Sequence, residues 1–238
     1  MPPKDGTVGV VMASMGRAAL LRATLTSLFD SEFAGPLVVV EQGVRTSTAR
    51  KYLETLPLTA ILLDDNYGKG YAWNVGLSFL TEACYVVPAG CPPDYVLLCD
   101  DDLTFSHEWE STMVATLERF YPTGLRALSG FRHSSQEEAR VFDAGPLQVV
   151  EGGVRPFVPG CCLLMRFDDA MRFGHPFPTD RLIGDVEGAV MRRIHHEGFW
   201  CASTTTSLID HAGSKQRSWH PGTKRPRRLI VDKPDEGL

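Results

Sequence analysis

Apolar positions in the first hundred residues alternate between two rhythms. Short β-branched runs at 7–13, 37–41, 59–63 and 96–98 read as strands. Between them, apolar residues recur at helical spacing, with Leu20, Leu21, Leu25 and Leu28 on one face of 17–29, and further helices at 46–56 and 70–84. Strand and helix in strict alternation predict a parallel sheet with helices on both faces, which binds ligands at the carboxyl ends of its strands. Each of those ends is polar: Ser14 with Arg17, Glu41 with Gln42, Asp64-Asp65-Asn66, and Asp100-Asp101-Asp102. Together they describe one rim.

Beyond a helix at 107–120 the rhythm changes. Segments 125–132, 140–144, 147–151 and 154–158 read as short strands, with a hairpin at Glu151-Gly152-Gly153-Val154. Another apolar strand follows at 160–166, then a helix at 184–196 stopped by Gly198 and a short strand before His211. The pattern divides one domain into a first half (1–103) and a second half (104–213), followed by a tail (214–238). Three prolines among basic residues make that tail the one segment expected to be flexible.

The acid triplet is the strongest chemical signal. Val96, Leu97 and Leu98 read as buried on both faces, so three mutually repelling carboxylates follow where the strand leaves the core. A divalent cation such as Mg²⁺ or Mn²⁺, with a diphosphate as its other ligand, neutralises such a cluster; a solvated acidic turn is the plainer reading. Alternate residues of an extended segment share a face, so Asp100 and Asp102 can address one ligand while Asp101 turns away.

Charge sharpens the picture. The net charge of −5 combines an acidic body with a basic tail, because residues 214–238 hold seven Lys or Arg against three acids. Such a tail suits an anion, be it a diphosphate, a nucleic acid or the protein's own acidic face. No apolar run reaches the roughly 20 residues that span a bilayer, and residues 1–6 lack a secretory h-region, so a cytoplasmic protein is expected. The six cysteines form no CxxC pair, which argues for reduced packing thiols over a zinc site.

The ordered motifs resemble family-2-like glycosyltransferases of GT-A fold. Val10-Val11-Met12-Ala13-Ser14-Met15-Gly16-Arg17 is similar to that family's opening strand and uridine-side loop, and Val38-Val39-Val40-Glu41-Gln42-Gly43 to its second strand. Asn66-Tyr67-Gly68-Lys69-Gly70-Tyr71-Ala72-Trp73-Asn74-Val75-Gly76 resembles its NxGxxxAxNxG segment, Asp100-Asp101-Asp102 its DxD motif, and Gly184-Asp185-Val186-Glu187 its catalytic acidic motif. His211 stands where many members place a late metal ligand. The family commonly has Glu-Asp before the acidic helix, whereas Gly184 precedes Asp185 here, which leaves the base open between Asp185 and Glu187.

The resemblance implies a Rossmann-like, mostly parallel central sheet, with 1–103 as the nucleotide-sugar-binding half, 104–213 as the acceptor-binding and catalytic half and 214–238 as a basic tail or lid. It also implies a metal-dependent transfer of a sugar from a nucleoside-diphosphate donor, a UDP-sugar by preference, with inversion. It implies that Ala13, Ser14 and Arg17 face the nucleotide, that Asp100 holds the ribose, with Asp101 beside it, and that Asp102 and His211 hold Mn²⁺ or Mg²⁺. Glu41 and Asp65 suit base or ribose donors, or else cap turns; Asn66 and Lys69 belong to the same rim, Lys69 as a phosphate partner or a solvated cation. Asp185 at a helix N-terminus suits a general base or a plain cap. Lys215 and Arg217, near Trp219 and His220, suggest a lid over the diphosphate. Partners beyond the donor are open: the acceptor is a saccharide, a small molecule or, as in phage-like enzymes, a modified base of DNA. A nucleotide-sugar-binding protein without catalysis is the remaining alternative, and a nucleotidyltransferase needs a longer basic loop than Ser14-Met15-Gly16-Arg17.

Overall fold

The computed structural model describes residues 6–43, 47–83, 92–131, 138–144, 147–152, 158–179 and 186–212. The first half alternates as the hydrophobic rhythm requires: β1 (Val8–Ser14), α1 (Ala18–Asp30), β2 (Leu37–Gln42), α2 (Thr48–Leu53), β3 (Thr59–Leu63), α3 (Lys69–Ala83) and β4 (Tyr95–Asp100). The second half adds β5 (Leu103–Phe105), α4 (Trp109–Phe120), β6 (Leu125–Ser129), β7 (Glu138–Ala144), β8 (Leu147–Gly152) and β9 (Cys162–Arg166). It closes with α5 (Phe167–Asp169), which runs into a π-helical stretch Ala170–Gly174, then α6 (Val186–His196), β10 (Trp200–Thr204) and β11 (Ile209–His211).

One sheet of nine strands carries the fold, in the order β3-β2-β1-β4-β9-β6-β10-β8-β7. β1, β2, β3 and β4 are mutually parallel, β9 runs against both β4 and β6, β10 runs with β6, and β8 against β10 and β7. Among the described residues only β8 and β9 therefore oppose the common direction, which is the mostly parallel sheet that the sequence predicts. Strand order reverses beside β1: the chain moves outward to β2 and β3, then returns to pair β4 with β1's other edge. Such a switch point opens a crevice at the carboxyl ends of the two strands.

Period-two alternation divides the core. Val8, Val10 and Met12 with Tyr95, Leu97 and Cys99 pack under α1 and α4, against Leu21, Leu25, Leu28, Trp109 and Met113. Val11 and Ala13 with Val96 and Leu98 pack under α3 and α6, against Trp73, Leu77, Val190 and Met191. Continuing this phase past the end of β4 sends Asp101 toward α1 and Asp100 toward α3 and α6.

Several elements differ from expectation. α2 is shorter than 46–56: the Ser47 hydroxyl accepts the Arg50 N–H at 3.2 Å to start it, and Pro57 lies just beyond its last turn. Two strands, β10 and β11, replace the single one expected before His211, and β5 and α5 carry no periodic signal because each is three residues long. Most of the strand expected at 154–158 and the tip of the hairpin at 151–154 lie outside the described residues. No helix among the described residues is long and apolar enough to cross a membrane.

Candidate active site

The crevice between β1 and β4 gathers the acid triplet and its counter-charges. Asp101 is wholly buried, and its carboxylate accepts the Ser14 hydroxyl at 2.8 Å, the Met15 N–H at 3.4 Å and the Arg17 guanidinium. Arg17 also donates to Asp102 Oδ2 at 2.8 Å. The Thr24 hydroxyl donates to the Asp101 carbonyl at 2.8 Å and accepts the Leu103 N–H at 2.9 Å, which staples α1 to both sides of the acid turn. Burial pushes the Asp101 carboxyl up, against the pull of Arg17. Burial would lower the Arg17 guanidinium too, but Asp101 and Asp102 outweigh it and raise it. Asp101 does turn away from its neighbours, into the protein, where it fixes the loop. Thr24 escapes a motif search, although it lies about two turns into the helix that Arg17 immediately precedes.

The second feature joins distant parts of the chain. β11 pairs antiparallel with β5, setting His211 opposite Leu103, and the Ala212 N–H donates to the Asp102 carbonyl at 2.8 Å. His211 Nε2 then lies 3.1 Å from Asp102 Oδ1, with the Phe131 ring packed 5.6 Å from the imidazole. Burial alone would raise Asp102, but the His211 hydrogen bond and Arg17 hold it down at about 2. His211 moves the other way: burial lowers it, and Asp102 more than compensates, so it lies above the usual histidine value.

Asp100, Asp102 and His211 each offer a ligand atom within 4.8 Å of the others. A neutral imidazole protonated at Nδ1 turns Nε2 toward Asp102 Oδ1 as a second acceptor, an arrangement that a cation between the two atoms satisfies. Oxygen donors with one imidazole suit Mn²⁺ or Mg²⁺, so the residues fit the ion that the sequence predicts.

The third feature is an ion-pair bridge between α3 and α6. The Lys69 ammonium contacts Asp100 at 2.8 and 3.1 Å, the Gly160 carbonyl at 3.2 Å and the Glu187 carboxylate, and it stands 4.6 Å over the Trp73 ring. Burial lowers the ammonium, yet Asp100 and Glu187 raise it overall. Asp100 is pushed up to about 6, chiefly by burial, with Lys69 pulling against it. Gly160 has a steric role here: a Cβ on it would lie 1.8 Å from Glu187 Cγ. The sequence does not mark Gly160, whose partners Lys69 and Glu187 are remote in the chain, whereas Trp73 lies one helical turn from Lys69.

At the β2 and β3 side, Glu41 is wholly buried and accepts the Gly16 N–H at 2.8 Å, where Gly16 takes a left-handed φ of 72°. Gln42 accepts the Tyr67 N–H at 3.0 Å, and Asn66 reaches the Met15 sulfur at 2.8 Å. Asp65 is exposed on the rim, Ala13 is buried beside Asp100 in the β1–β4 register, and Tyr67 stands exposed against Tyr71. Ser14, Arg17, Lys69, Asp100, Asp101, Asp102, Glu187 and His211 thus converge on one crevice, with Ala13, Glu41, Asp65 and Asn66 along its edge. Asp185, the residue before α6, and Lys215 and Arg217 of the tail lie outside the described residues.

Comparison with known proteins agrees with this geometry. The model of glycosyl transferase family 2 matches residues 9–173, well over half of the chain. Among solved structures, the crystal structure of GalNAc-T7 with UDP, GalNAc and Mn²⁺ superposes with a TM-score of 0.62 at 10% identity, covering 96% of this chain and 46% of that one. The chain therefore spans just under half the length of that relative. No curated protein sequence matches it.

Proposed function

Because the chain belongs to glycosyl transferase family 2 and has the GT-A fold, we propose that it moves a sugar from a nucleoside-diphosphate donor, UDP-linked by preference, to a hydroxyl acceptor, with inversion and with Mn²⁺ or Mg²⁺. The observation that carries this reading is the convergence of Asp100, Asp102 and His211 at the switch-point crevice. The UDP and Mn²⁺ of the GalNAc-T7 structure support the choice of donor and ion.

Asp102 and His211 would hold the ion with Asp100 beside them, and the bound ion offsets charge on the departing diphosphate. Ser14, Met15, Gly16 and the Glu41 beneath them form the wall for the base, with Asp65 and Asn66 at its edge. The pair of buried Asp101 and half-buried Arg17 keeps this wall and the acid turn in fixed register, so the donor meets a preorganised site. Glu187 already has one carboxylate oxygen engaged by the Lys69 ammonium. We therefore assign the acceptor proton to Asp185, which immediately precedes α6 in the chain. Lys215 and Arg217 are assigned to the diphosphate from the tail side, and the acceptor is left unassigned.

The test is a panel of UDP-, GDP-, CDP- and dTDP-sugars, scored for ion-dependent binding and slow donor hydrolysis, which needs no acceptor. Selective, Mn²⁺-dependent binding of one donor that is lost in D102N supports the proposal; metal-independent binding or none refutes it. D185N and E187Q then separate the roles, with turnover lost in D185N while donor affinity holds.

A further inference from the structure

Lys69 has an unusual position for a residue expected to meet phosphate. An ammonium has three N–H donors, and the described residues give Lys69 three acceptors: Asp100, Glu187 and the Gly160 carbonyl. Those donors are spent inside the protein. One of the acceptors is also in the group of three that fits a divalent ion.

The charges make the conflict specific. Arg17 is tied to Asp101 and to Asp102 Oδ2, so it leaves Asp102 Oδ1 facing His211. Asp100 has no such division of labour, because both of its oxygens lie within 3.1 Å of Lys69 Nζ. An ion that takes Asp100 as a ligand must share it with a fixed positive charge or push that charge off. Lys69 can yield without being stranded, since Glu187, Gly160 and the Trp73 face hold it from the other side.

We propose that Lys69 is a resident counter-cation that a divalent ion displaces from Asp100, and that the N–H so released then serves the donor's diphosphate. This rests on the Asp100, Asp102 and His211 reading of the ion site. It couples the two ligands: the ion alone binds weakly because it must evict Lys69, and a diphosphate rewards the eviction by accepting the freed donor.

One substitution should then move two affinities in opposite directions. Mn²⁺ binding is measured by calorimetry and by electron paramagnetic resonance on the full chain without donor, and UDP binding at saturating Mn²⁺. K69M, and K69Q as a variant that keeps some hydrogen bonding, should each bind Mn²⁺ about ten-fold more tightly than wild type, the effect of removing one charge-assisted competitor. The same variants should bind UDP several-fold more weakly. D100N should erase most of the Mn²⁺ gain from K69M, which separates displacement at Asp100 from a general loss of positive charge.

Equal or weaker Mn²⁺ affinity in both Lys69 variants, with wild type binding Mn²⁺, overturns the inference and leaves the ion site standing. A gain that persists undiminished in D100N, or a UDP affinity that does not fall, overturns it as well. Absence of Mn²⁺ binding in wild type and variants alike removes the ion site itself, and the role of Lys69 with it. Binding by the variants where wild type shows none supports displacement in its strongest form.

Discussion

Replacing Arg17 with methionine tests whether Asp101 is an internal strut. The Asp101 carboxylate is completely buried, and without Arg17 it would keep, among the described residues, the Ser14 hydroxyl and the long Met15 N–H. Removing one partner of a buried ion pair typically costs about 3–5 kcal/mol. Arg17 is about one-third exposed and Asp101 retains two donors, which discounts the loss to about 2–3 kcal/mol. Protonation sets a ceiling: neutralising an ordinary aspartate costs about 4 kcal/mol at pH 7 but about 1.5 kcal/mol at pH 5. The sign follows, because a carboxyl raised further in the folded state destabilises above its unfolded pKa, so the R17M penalty grows with pH. Unfolding in urea and heat with EDTA present should show R17M losing roughly 4–12 °C at pH 7 and less at pH 5. Adding D101N should recover at least about 1 kcal/mol. A loss under about 0.5 kcal/mol, or additive effects of R17M and D101N, would refute the strut.

Other consequences are equally direct. G160A forces a methyl against Glu187 and breaks the Lys69–Glu187 contact; a loss of about 1–3 kcal/mol in thermal unfolding is expected, and unchanged stability would mean that α6 shifts freely. In metal-free protein, Asp102 at about 2 adds stability above the ordinary aspartate range that disappears as pH falls through its folded value. Raised His211 adds stability below the ordinary histidine value that disappears as pH rises through its folded value. H211A should flatten that alkaline limb of the melting-temperature profile, and Mn²⁺ affinity in wild type should fall as acid protonates His211. F131A frees the imidazole to rotate and should weaken Mn²⁺ binding several-fold, with F131L retaining most of it; calorimetry on the two variants decides.

The alternation of strand and helix through β4 was legible because period-two and period-3.6 patterns are local, and helices over both faces of a parallel sheet leave its strands apolar throughout. The polar rim was legible for a related reason: Ser14, Glu41, Asp65 and Asp100 each overlap the end of an apolar strand or follow it within two residues, so chain order alone puts them on one edge. Even the phase of the triplet followed from alternation, which sends Asp101 and Asp100 to opposite faces.

Tertiary structure decided what each charge does. Whether Asp101 faces a ligand or the Arg17 guanidinium depends on how α1 packs against the acid turn, and nothing near position 101 encodes the seven-residue step from Arg17 to Thr24. His211 reaches Asp102 only because β11 pairs with β5, a strand too short to have a period of its own. Lys69 is drawn off solvent by Glu187, 118 positions along the chain, across a gap kept open by the missing side chain of Gly160. Sequence patterns report local geometry and burial, whereas the pairing of charges is a sum over contacts between segments remote in the chain, and only folding brings those terms together.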